Sequence, residues 1–259
     1  MQKRAIFRDT LHFLNIKRCR RRGIPPNSIL FLALWVTNKC NLRCKMCDFW
    51  KTNPPTFSQE LSTEEWYSVI DSAAKMHTRI IVITGGEPFL RPDIFQILGR
   101  IREKEMTYHI CTSGTLLNRA TIEKLKHSPP TSVTISLDSH RAEIHNELRG
   151  ADCFDTVVEG IRVLKKNLPS IKIGINYLLC RQNFRDIERM VPFAKRLGVD
   201  QIKFQPIHTN LQHRHKPQET FGDLLFNKDD LPELRAVIGR AVLAASRAKL
   251  HTISSTFAK

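Results

Sequence analysis

The sequence predicts an α/β fold built around a parallel sheet, with about six strand–helix units in series. Short runs rich in β-branched residues alternate with helix-length segments along most of the 259 residues. Runs such as residues 80–83 are apolar at every position, as expected of parallel strands buried on both faces. Polar clusters follow the strands, where ligands bind in such folds. An open doubly wound sheet and an incomplete barrel both satisfy this pattern.

The elements follow one another regularly along the chain. We expect strands at residues 29–36, 79–84, 107–112, 132–137, 171–179 and 201–205. We expect helices near residues 62–76, 92–104, 118–126, 140–148, 154–166, 183–196 and 229–249. The sequence Ser62-Thr63-Glu64-Glu65 is typical of a capping box at a helix start. Gly150 is expected to end the helix near residues 140–148. Asn183 is expected to cap the helix near residues 183–196.

The first 26 residues predict a basic amphipathic helix that ends near Gly23, Pro25 and Pro26. Eight basic residues here face only one acidic residue, Asp9; they are Lys3, Arg4, Arg8, Lys17, Arg18, Arg20, Arg21 and Arg22. Such a helix either packs on its own protein or contacts an anionic membrane, a nucleic acid or another partner. We therefore divide the chain into this segment (1–26), a main domain (27–210), and a polar loop with a C-terminal helix (211–259).

Charge and composition narrow the class of protein. The net charge of +16 favours an anionic partner or a generally basic surface. No apolar run approaches the roughly 18–20 residues of a transmembrane helix, and the N-terminus lacks the apolar core of a secretory signal. Seven cysteines, three of them clustered, argue against a disulfide framework. These features together predict a cytoplasmic protein.

Three cysteines stand directly after the first predicted strand. Cys40, Cys44 and Cys47 have the spacing C-x3-C-x2-C. Thiolates on so short a loop can converge on a soft metal centre, but zinc and fully protein-ligated iron–sulfur clusters usually take four ligands. Either a fourth ligand comes from far away, or one position is left open for a substrate or cofactor.

Further polar clusters follow the other strands. Gly85-Gly86-Glu87-Pro88 comes after the second strand, Thr112-Ser113-Gly114 after the third and Ser136-Leu137-Asp138 after the fourth. Asn176 lies within the fifth strand and Gln205 ends the sixth. Because the carboxyl ends of parallel strands meet at one edge, we expect these residues to share a rim with the cysteines.

The cysteine spacing, followed by Gly-Gly-Glu-Pro, resembles the radical S-adenosylmethionine (radical SAM) superfamily. The similarity covers about residues 30–206. It includes residues 112–117 and the segment from Ser136 through His145 to Arg149-Gly150. It is greatest to the branch containing peptide maturases and the molybdenum-cofactor cyclase. The resemblance implies a partial (β/α)6 TIM-like barrel with outer helices. No cysteine follows Cys180, so we expect no C-terminal SPASM or twitch cysteine extension.

The resemblance also implies the chemistry. Cys40, Cys44 and Cys47 would hold a [4Fe-4S] cluster, and the amine and carboxylate of S-adenosylmethionine would occupy its open iron. Reductive cleavage would give a 5′-deoxyadenosyl radical, which takes a hydrogen atom from a peptide or small-molecule substrate. The implied partners are a reducing electron donor such as flavodoxin or ferredoxin, and a partner protein over the barrel.

The resemblance assigns roles to the remaining rim residues. Gly85 and Gly86 would let backbone carbonyls approach the methionyl ammonium, with Glu87 as an added acceptor beside Pro88. The positions expected to contact the carboxylate, ribose or adenine of the cofactor are Ser113, Ser136, Arg149, Asn176 and Gln205. Ser113 also suits a helix cap. Asp138 suits either a substrate-site acid or a structural cap. Met46 stands where relatives often carry an aromatic residue near adenine.

One alternative of another class stays open: a zinc-stabilised basic module that binds nucleic acid without redox chemistry. In that case a distant histidine such as His208, His213 or His215 would join the cysteines, although unliganded loop histidines are common. Phe49 and Trp50 suit either stacking at the site or core packing. Three scattered cysteines are expected to be buried apolar residues: Cys111, Cys153 and Cys180.

Overall fold

A computed structural model describes residues 2–26, 28–47, 60–207 and 221–252. These residues form one parallel sheet whose seven strands lie in sequence order. The strands are β1 (Phe31–Trp35), β2 (Ile80–Thr84), β3 (Thr107–Thr112), β4 (Ser132–Ser136), β5 (Lys172–Leu179), β6 (Gln201–Pro206) and β7 (His251–Thr252). Sequential order places all crossovers on one face, so the sheet is a partial barrel and not doubly wound. The barrel prediction is confirmed, and β7 adds a strand that the sequence did not reveal.

The helices lie outside the sheet and alternate with its strands. They are α1 (Gln2–Arg21), α2 (Thr63–Lys75), α3 (Ile94–Glu103), α4 (Arg119–His127), α5 (Ala142–Arg149), α6 (Phe154–Asn167), α7 (Ile187–Arg196) and α8 (Leu231–Arg247). Short 3-10 turns cover Pro88–Leu90, Phe184–Asp186 and Gly222–Leu224. Most predicted helix limits agree with these to within two residues.

Side chains alternate between the two faces of each strand. In β2, Ile81 and Ile83 are fully buried under the helices, whereas Ile80 on the other face is 42% exposed. The same outward set from the neighbouring strands fills the core, including Tyr108, Ile110, Val133, Ile135, Ile173 and Ile175. The expectation that strands are buried on both faces was therefore wrong for β2, whose inner face is partly open, whereas Thr134 and Gly174 on the inner face of β4 and β5 are buried as expected.

Local signals were partly correct. The capping box at α2 is present: Glu65 N–H donates to Ser62 Oγ (3.3 Å), and Ser62 N–H donates to the Glu65 carboxylate (2.7 Å). Gly150 ends α5 in the left-handed conformation, with φ of +68°. Asn183 occupies the N-cap position of the 3-10 turn Phe184–Asp186 that leads into α7, as predicted, but its side chain makes no capping hydrogen bond. It donates instead to the carbonyls of Asp138 and Leu178 and accepts from Cys180 N–H.

The two ends of the chain differ in how they meet the sheet. α8 packs on α7, and β7 pairs with β6. In α1, Phe13 and Leu14 are 56% and 53% exposed.

No helix among the described residues is both long and apolar enough to cross a bilayer. The domain limits at residues 26 and 210 stay a prediction.

Candidate active site

A cavity of about 370 Å³ opens at the carboxyl ends of the strands. The three clustered cysteines line it together with most of the predicted rim: Gly85, Gly86, Ser113, Ser136, Arg149, Asn176 and Gln205. The structure therefore brings together residues that are separated by up to 165 positions in the sequence. Three predicted site residues do not line the cavity. Glu87 and Asp138 are fully buried, and Pro88 is also buried, at the start of a 3-10 turn.

Gly85 and Gly86 lie against the cysteine loop. Gly86 N–H donates to Thr37 O (2.8 Å), and Glu87 N–H donates to Lys39 O (2.7 Å). A Cβ at Gly86 would lie 2.1 Å from Lys39 O, and one at Gly85 would lie 2.5 Å from Thr37 O. The missing side chains therefore allow two backbones to touch. This contact between two backbones differs from the predicted role of the two glycines, which is access of backbone carbonyls to the methionyl ammonium.

The buried Arg91 guanidinium holds the beginning of the cysteine loop, where it leaves β1. Arg91 donates to Val36 O (2.9 Å) and forms ion pairs with Asp93 (2.7 Å) and Glu60 (3.6 Å). Glu60 in turn accepts from Thr37 Oγ1 (2.8 Å) and from the Asn38 N–H (2.6 Å). Sequence reasoning missed this network, because Arg91 and Glu60 flank the loop only after folding. It holds the backbone that leads from β1 to Cys40.

Glu87 joins the loops after β2 and β3. Its carboxylate accepts from Thr112 Oγ1 (2.8 Å), Ser113 N–H (2.7 Å) and Ser113 Oγ (2.6 Å). Burial raises the pKa of this carboxyl, although these hydrogen bonds oppose the shift. Ser113 thus reaches the cavity from a position that Glu87 determines, and it does not cap a helix.

Arg149 lies between a carboxylate and a cysteine. Its Nε is 2.6 Å from Asp138 Oδ2, and its Nη1 donates to Cys44 Sγ at 3.9 Å. Burial opposes the charge, but the nearby Asp138 and Cys44 hold the pKa of Arg149 above its ordinary value. Asp138 also accepts from Leu178 N–H (3.0 Å). Of the two, only Arg149 lines the cavity, with Asp138 behind it.

The cysteine loop itself is compact. Leu42, Cys44 and Cys153 form a small buried cluster, and Cys40, Met46 and Cys47 pack against it. Burial raises the pKa of the Cys40 thiol to about 11, although the Leu42 N–H opposes this, and burial also raises the pKa of Cys44. All seven cysteines are free thiols. Metal binding would therefore release protons from this loop.

The arrangement of the thiols bears on the kind of metal. No three His, Cys, Asp or Glu side chains in the described ranges converge as ligands of a single metal ion. A tetrahedral zinc site needs such convergence, whereas three cysteines of a [4Fe-4S] cluster each bind a different iron. Three thiols around one cavity fit a [4Fe-4S] cluster, in which each would bind a different iron. The chain's other candidates for ligands or stacking, namely His208, His213, His215, Phe49 and Trp50, lie outside the described residues.

Several lining residues were not foreseen as site residues. Trp35, Thr84 and Cys111 lie on the inward-facing positions near the ends of β1, β2 and β3. Strand alternation was the signal that could have found them, because each lies an even number of positions from another inward residue. Met46 lines the cavity as expected. Cys153 and Cys180 are buried as expected, but Cys111 is only partly so.

Comparisons with known proteins show the family of the chain. The Radical SAM superfamily profile matches residues 35–194. Fe-coproporphyrin III synthase of Methanosarcina barkeri is 33% identical over 175 residues, which are 67% of this chain and 43% of that protein. PqqA peptide cyclase of Granulibacter bethesdensis is 28% identical over 220 residues, which are 83% of this chain and 54% of that protein. The chain thus spans about half the length of these relatives.

Solved structures share the fold. Streptococcus suis SuiB bound to S-adenosylmethionine superposes with a TM-score of 0.72 at 18% identity, over 92% of this chain and 52% of SuiB. The same protein bound to its precursor peptide SuiA gives 0.72 at 19% identity, over 92% of this chain and 51% of SuiB. Since the superfamily profile matches more than half of its residues, this chain belongs to the radical SAM superfamily of enzymes, whose cofactors are a [4Fe-4S] cluster and S-adenosylmethionine.

Proposed function

We propose that this enzyme cleaves S-adenosylmethionine reductively and uses the product to take a hydrogen atom from a substrate. The observation that carries the proposal is the position of Cys40, Cys44 and Cys47 around one cavity with the glycines that hold their loop. When bound, the cluster and S-adenosylmethionine supply an electron transfer that breaks a C–S bond and gives a 5′-deoxyadenosyl radical. The chain's residues bind, orient and shield these groups.

Arg149 and Ser136 are proposed to bind the methionyl carboxylate. Arg149 lies beside Cys44, so its charge would also stabilise the anionic cluster. Asn176 and Gln205, on β5 and β6, present amides to the same cavity and suit the ribose and adenine. Asp138 does not reach the cavity. We therefore assign it a positioning role, in which it holds the Arg149 guanidinium in place.

Gly85, Gly86, Glu87 and Pro88 are proposed to shape the cofactor site from behind. The glycines bring their own backbone against the cysteine loop, and Glu87 fixes Ser113 at the edge of the cavity. A buried carboxylate with several donors is rigid. The turn would thus present backbone groups to the methionyl end of the cofactor at a fixed distance from the cysteines.

The substrate is proposed to be a peptide or a small metabolite. A peptide is favoured by two similar proteins, the PqqA peptide cyclase and SuiB with its precursor peptide, although the chain covers only about half of each. The reducing partner is proposed to be a flavodoxin or ferredoxin, and a partner protein could cover the barrel. Seven free thiols support a reducing compartment, the cytoplasm.

The test is anaerobic reconstitution with iron and sulfide, followed by incubation with dithionite and S-adenosylmethionine. We expect a brown protein that forms 5′-deoxyadenosine, measured by chromatography. Cys44→Ala should lose the cluster and the product, while Cys180→Ala, a matched loss of a buried thiol outside the cavity, should retain both. A colourless protein with one zinc per chain, or full activity of Cys44→Ala, would contradict the proposal.

A further inference from the structure

A second and larger cavity lies at the opposite end of the barrel. Its volume is about 870 Å³. Its walls include the first residues of four strands, Ile80, Ser132, Lys172 and Gln201, and the turn at residues 198–200 that leads into β6. The amino ends of the strands therefore surround it, whereas the cysteines lie at the carboxyl ends. The proposed cleavage chemistry uses none of its residues.

The charges around this lower cavity are unbalanced. Among the described residues that line it, Asp200 is the only carboxylate, against four lysines: Lys172, Lys195, Lys203 and Lys249. Asp200 is already engaged, since it lies 3.5 Å from Lys172 and 3.6 Å from Lys165 and accepts from Ile173 N–H. Within the part of the chain that the structure describes, Lys195, Lys203 and Lys249 have no carboxylate partner. The cavity is thus a concentrated positive field.

Lys203 is the innermost of these cations. It occupies an inward position of β6 between Gln201 and Gln205, and its partner in the register is Asn176, which lines the upper cavity. Its positive charge affects the pKa of two inward-facing residues on β3, His109 and Cys111. It helps burial to lower the pKa of His109 to about 4, and it opposes the rise that burial causes in the pKa of Cys111. A half-buried ammonium without a counterion costs free energy, which a bound anion would recover.

The lining chemistry indicates which anion. The cations that line the described part of the lower cavity are lysines, whose ammonium groups bind phosphate as point charges, and four of them together suit an anion with several negative charges. The cavity also holds neutral donors and acceptors, such as the His109 imidazole, whose Nδ1 lies 2.6 Å from Ser132 Oγ. Its volume falls within the range of small-molecule sites. We infer that this lower cavity binds a small molecule bearing two or more phosphate groups, separately from S-adenosylmethionine.

Isothermal titration of the full chain with sodium pyrophosphate tests the inference. We expect one pyrophosphate per chain, with an affinity that falls as salt is added. Lys203→Gln should weaken binding at least about tenfold, the effect of losing one charge-assisted contact. Lys249→Gln, at the mouth of the cavity, should weaken it too and guards against misfolding of the strand variant. Lys75→Gln, an exposed lysine on α2 outside the cavity, should bind like the unchanged chain.

Two results of this titration would contradict the inference. If pyrophosphate gives no heat at millimolar concentration, the lower cavity is not a phosphate site. The inference also fails if both cavity variants, folded by circular dichroism, bind as tightly as Lys75→Gln. Neither result depends on the cluster, because the titration needs neither iron nor S-adenosylmethionine.

Discussion

Gly86 fixes how closely the second strand's turn approaches the cysteine loop. A Cβ there would lie 2.1 Å from Lys39 O and 2.6 Å from its carbonyl carbon, and neither backbone atom belongs to a flexible side chain. We therefore expect Gly86→Ala to displace the loop and to lower the free energy of unfolding by roughly 2 kcal/mol. The iron content after reconstitution should fall as well, because the displaced loop carries Cys40.

Gly99→Ala is the matched control. Gly99 lies within α3, and a Cβ there would meet nothing within 4 Å. Alanine is the better helix former, so this variant should gain about 0.5–1 kcal/mol and keep its iron. Urea unfolding followed by circular dichroism measures both variants. Equal stability of the two would show that the approach of the two backbones is not a tight constraint.

His145 makes stability depend on pH. Burial, assisted by Arg149, lowers the pKa of His145 to about 4, from an unfolded value of about 6.5. As pH falls through this window, the unfolded chain binds a proton that the folded protein does not, so stability decreases toward acid. This histidine alone can remove roughly 3 kcal/mol by pH 4.

His145→Gln should therefore flatten the dependence of the unfolding free energy on pH between about 6.5 and 5. The slope is the informative quantity, because the substitution also changes the hydrogen bond that Nδ1 accepts from Asp138 N–H (3.2 Å). His127→Gln, on the exposed end of α4, controls for loss of an imidazole. Parallel profiles for all three proteins would refute a proton-linked role for His145.

Residue spacing predicted which residues meet, but not which way they point. Cys40, Cys44 and Cys47 line one cavity, as expected of three thiols on so short a loop. Asp138 and Glu87 also follow strand ends, yet both carboxylates turn away from the cavity. Their partners lie in a following helix or loop: Arg149 at the end of α5 for Asp138, and Ser113 after β3 for Glu87. No local pattern encodes that choice.

At the scale of elements, several helices return to the sheet through the same kind of turn. After α3, Met106 N–H donates to Ile101 O and Glu105 N–H to Arg102 O, which places Glu105 in the left-handed region with φ of +56°. A side chain is unfavourable there by about 1 kcal/mol. Glu105→Gly should therefore stabilise the protein by a few tenths to about 1 kcal/mol.

The control is the same substitution in a helical conformation. Glu123 is an exposed residue in the middle of α4, and Glu123→Gly should cost about 1 kcal/mol through lost helix propensity. Thermal and urea unfolding of the two variants should move in opposite directions. Destabilisation by both would mean that the Glu105 side chain contributes more than its backbone strain costs.

The predicted helices and strands agree with the structure where the apolar periodicity is strong. The prediction failed where an element is too short to show a periodic pattern. Helices such as α2 carry both an apolar stripe and a capping box, so their limits were readable. β7 has only two residues, His251 and Thr252, and is defined by pairing with β6. Asn183 looked like a helix cap in isolation. The amide is instead drawn to the Asp138 and Leu178 carbonyls, which only the folded sheet brings near it.

The molecule has two cavities at opposite ends of its barrel axis. The carboxyl ends of the strands carry the cavity lined by the cysteines, and the amino ends carry the lysine-rich lower cavity. Strand order and rim position were predictable from regular alternation. The open inner face was not, because apolar runs such as residues 80–83 read as buried on both sides. Only the incompleteness of the barrel explains why Ile80 is exposed.

Deletion of the basic helix α1 tests whether the rest of the molecule depends on it for stability. Among its described side chains Cys19 is buried but belongs to none of the hydrophobic clusters, and Phe13 and Leu14 are more than half exposed. Deleting residues 2–26 removes eight of the 41 Lys and Arg residues and one acidic residue. We expect the shortened chain to unfold cooperatively, within about 1 kcal/mol of the full chain, in urea.

The same deletion distinguishes the alternatives for what α1 contacts. If it meets an anionic membrane, the full chain should co-sediment with vesicles containing phosphatidylserine. The shortened chain should largely remain in the supernatant, because each Lys or Arg near such a surface contributes about 1 kcal/mol. Vesicles of phosphatidylcholine alone control for binding through Phe13 and Leu14. Equal co-sedimentation of both chains would exclude a membrane role for α1, and loss of cooperative unfolding on deletion would show that the helix packs on its own protein.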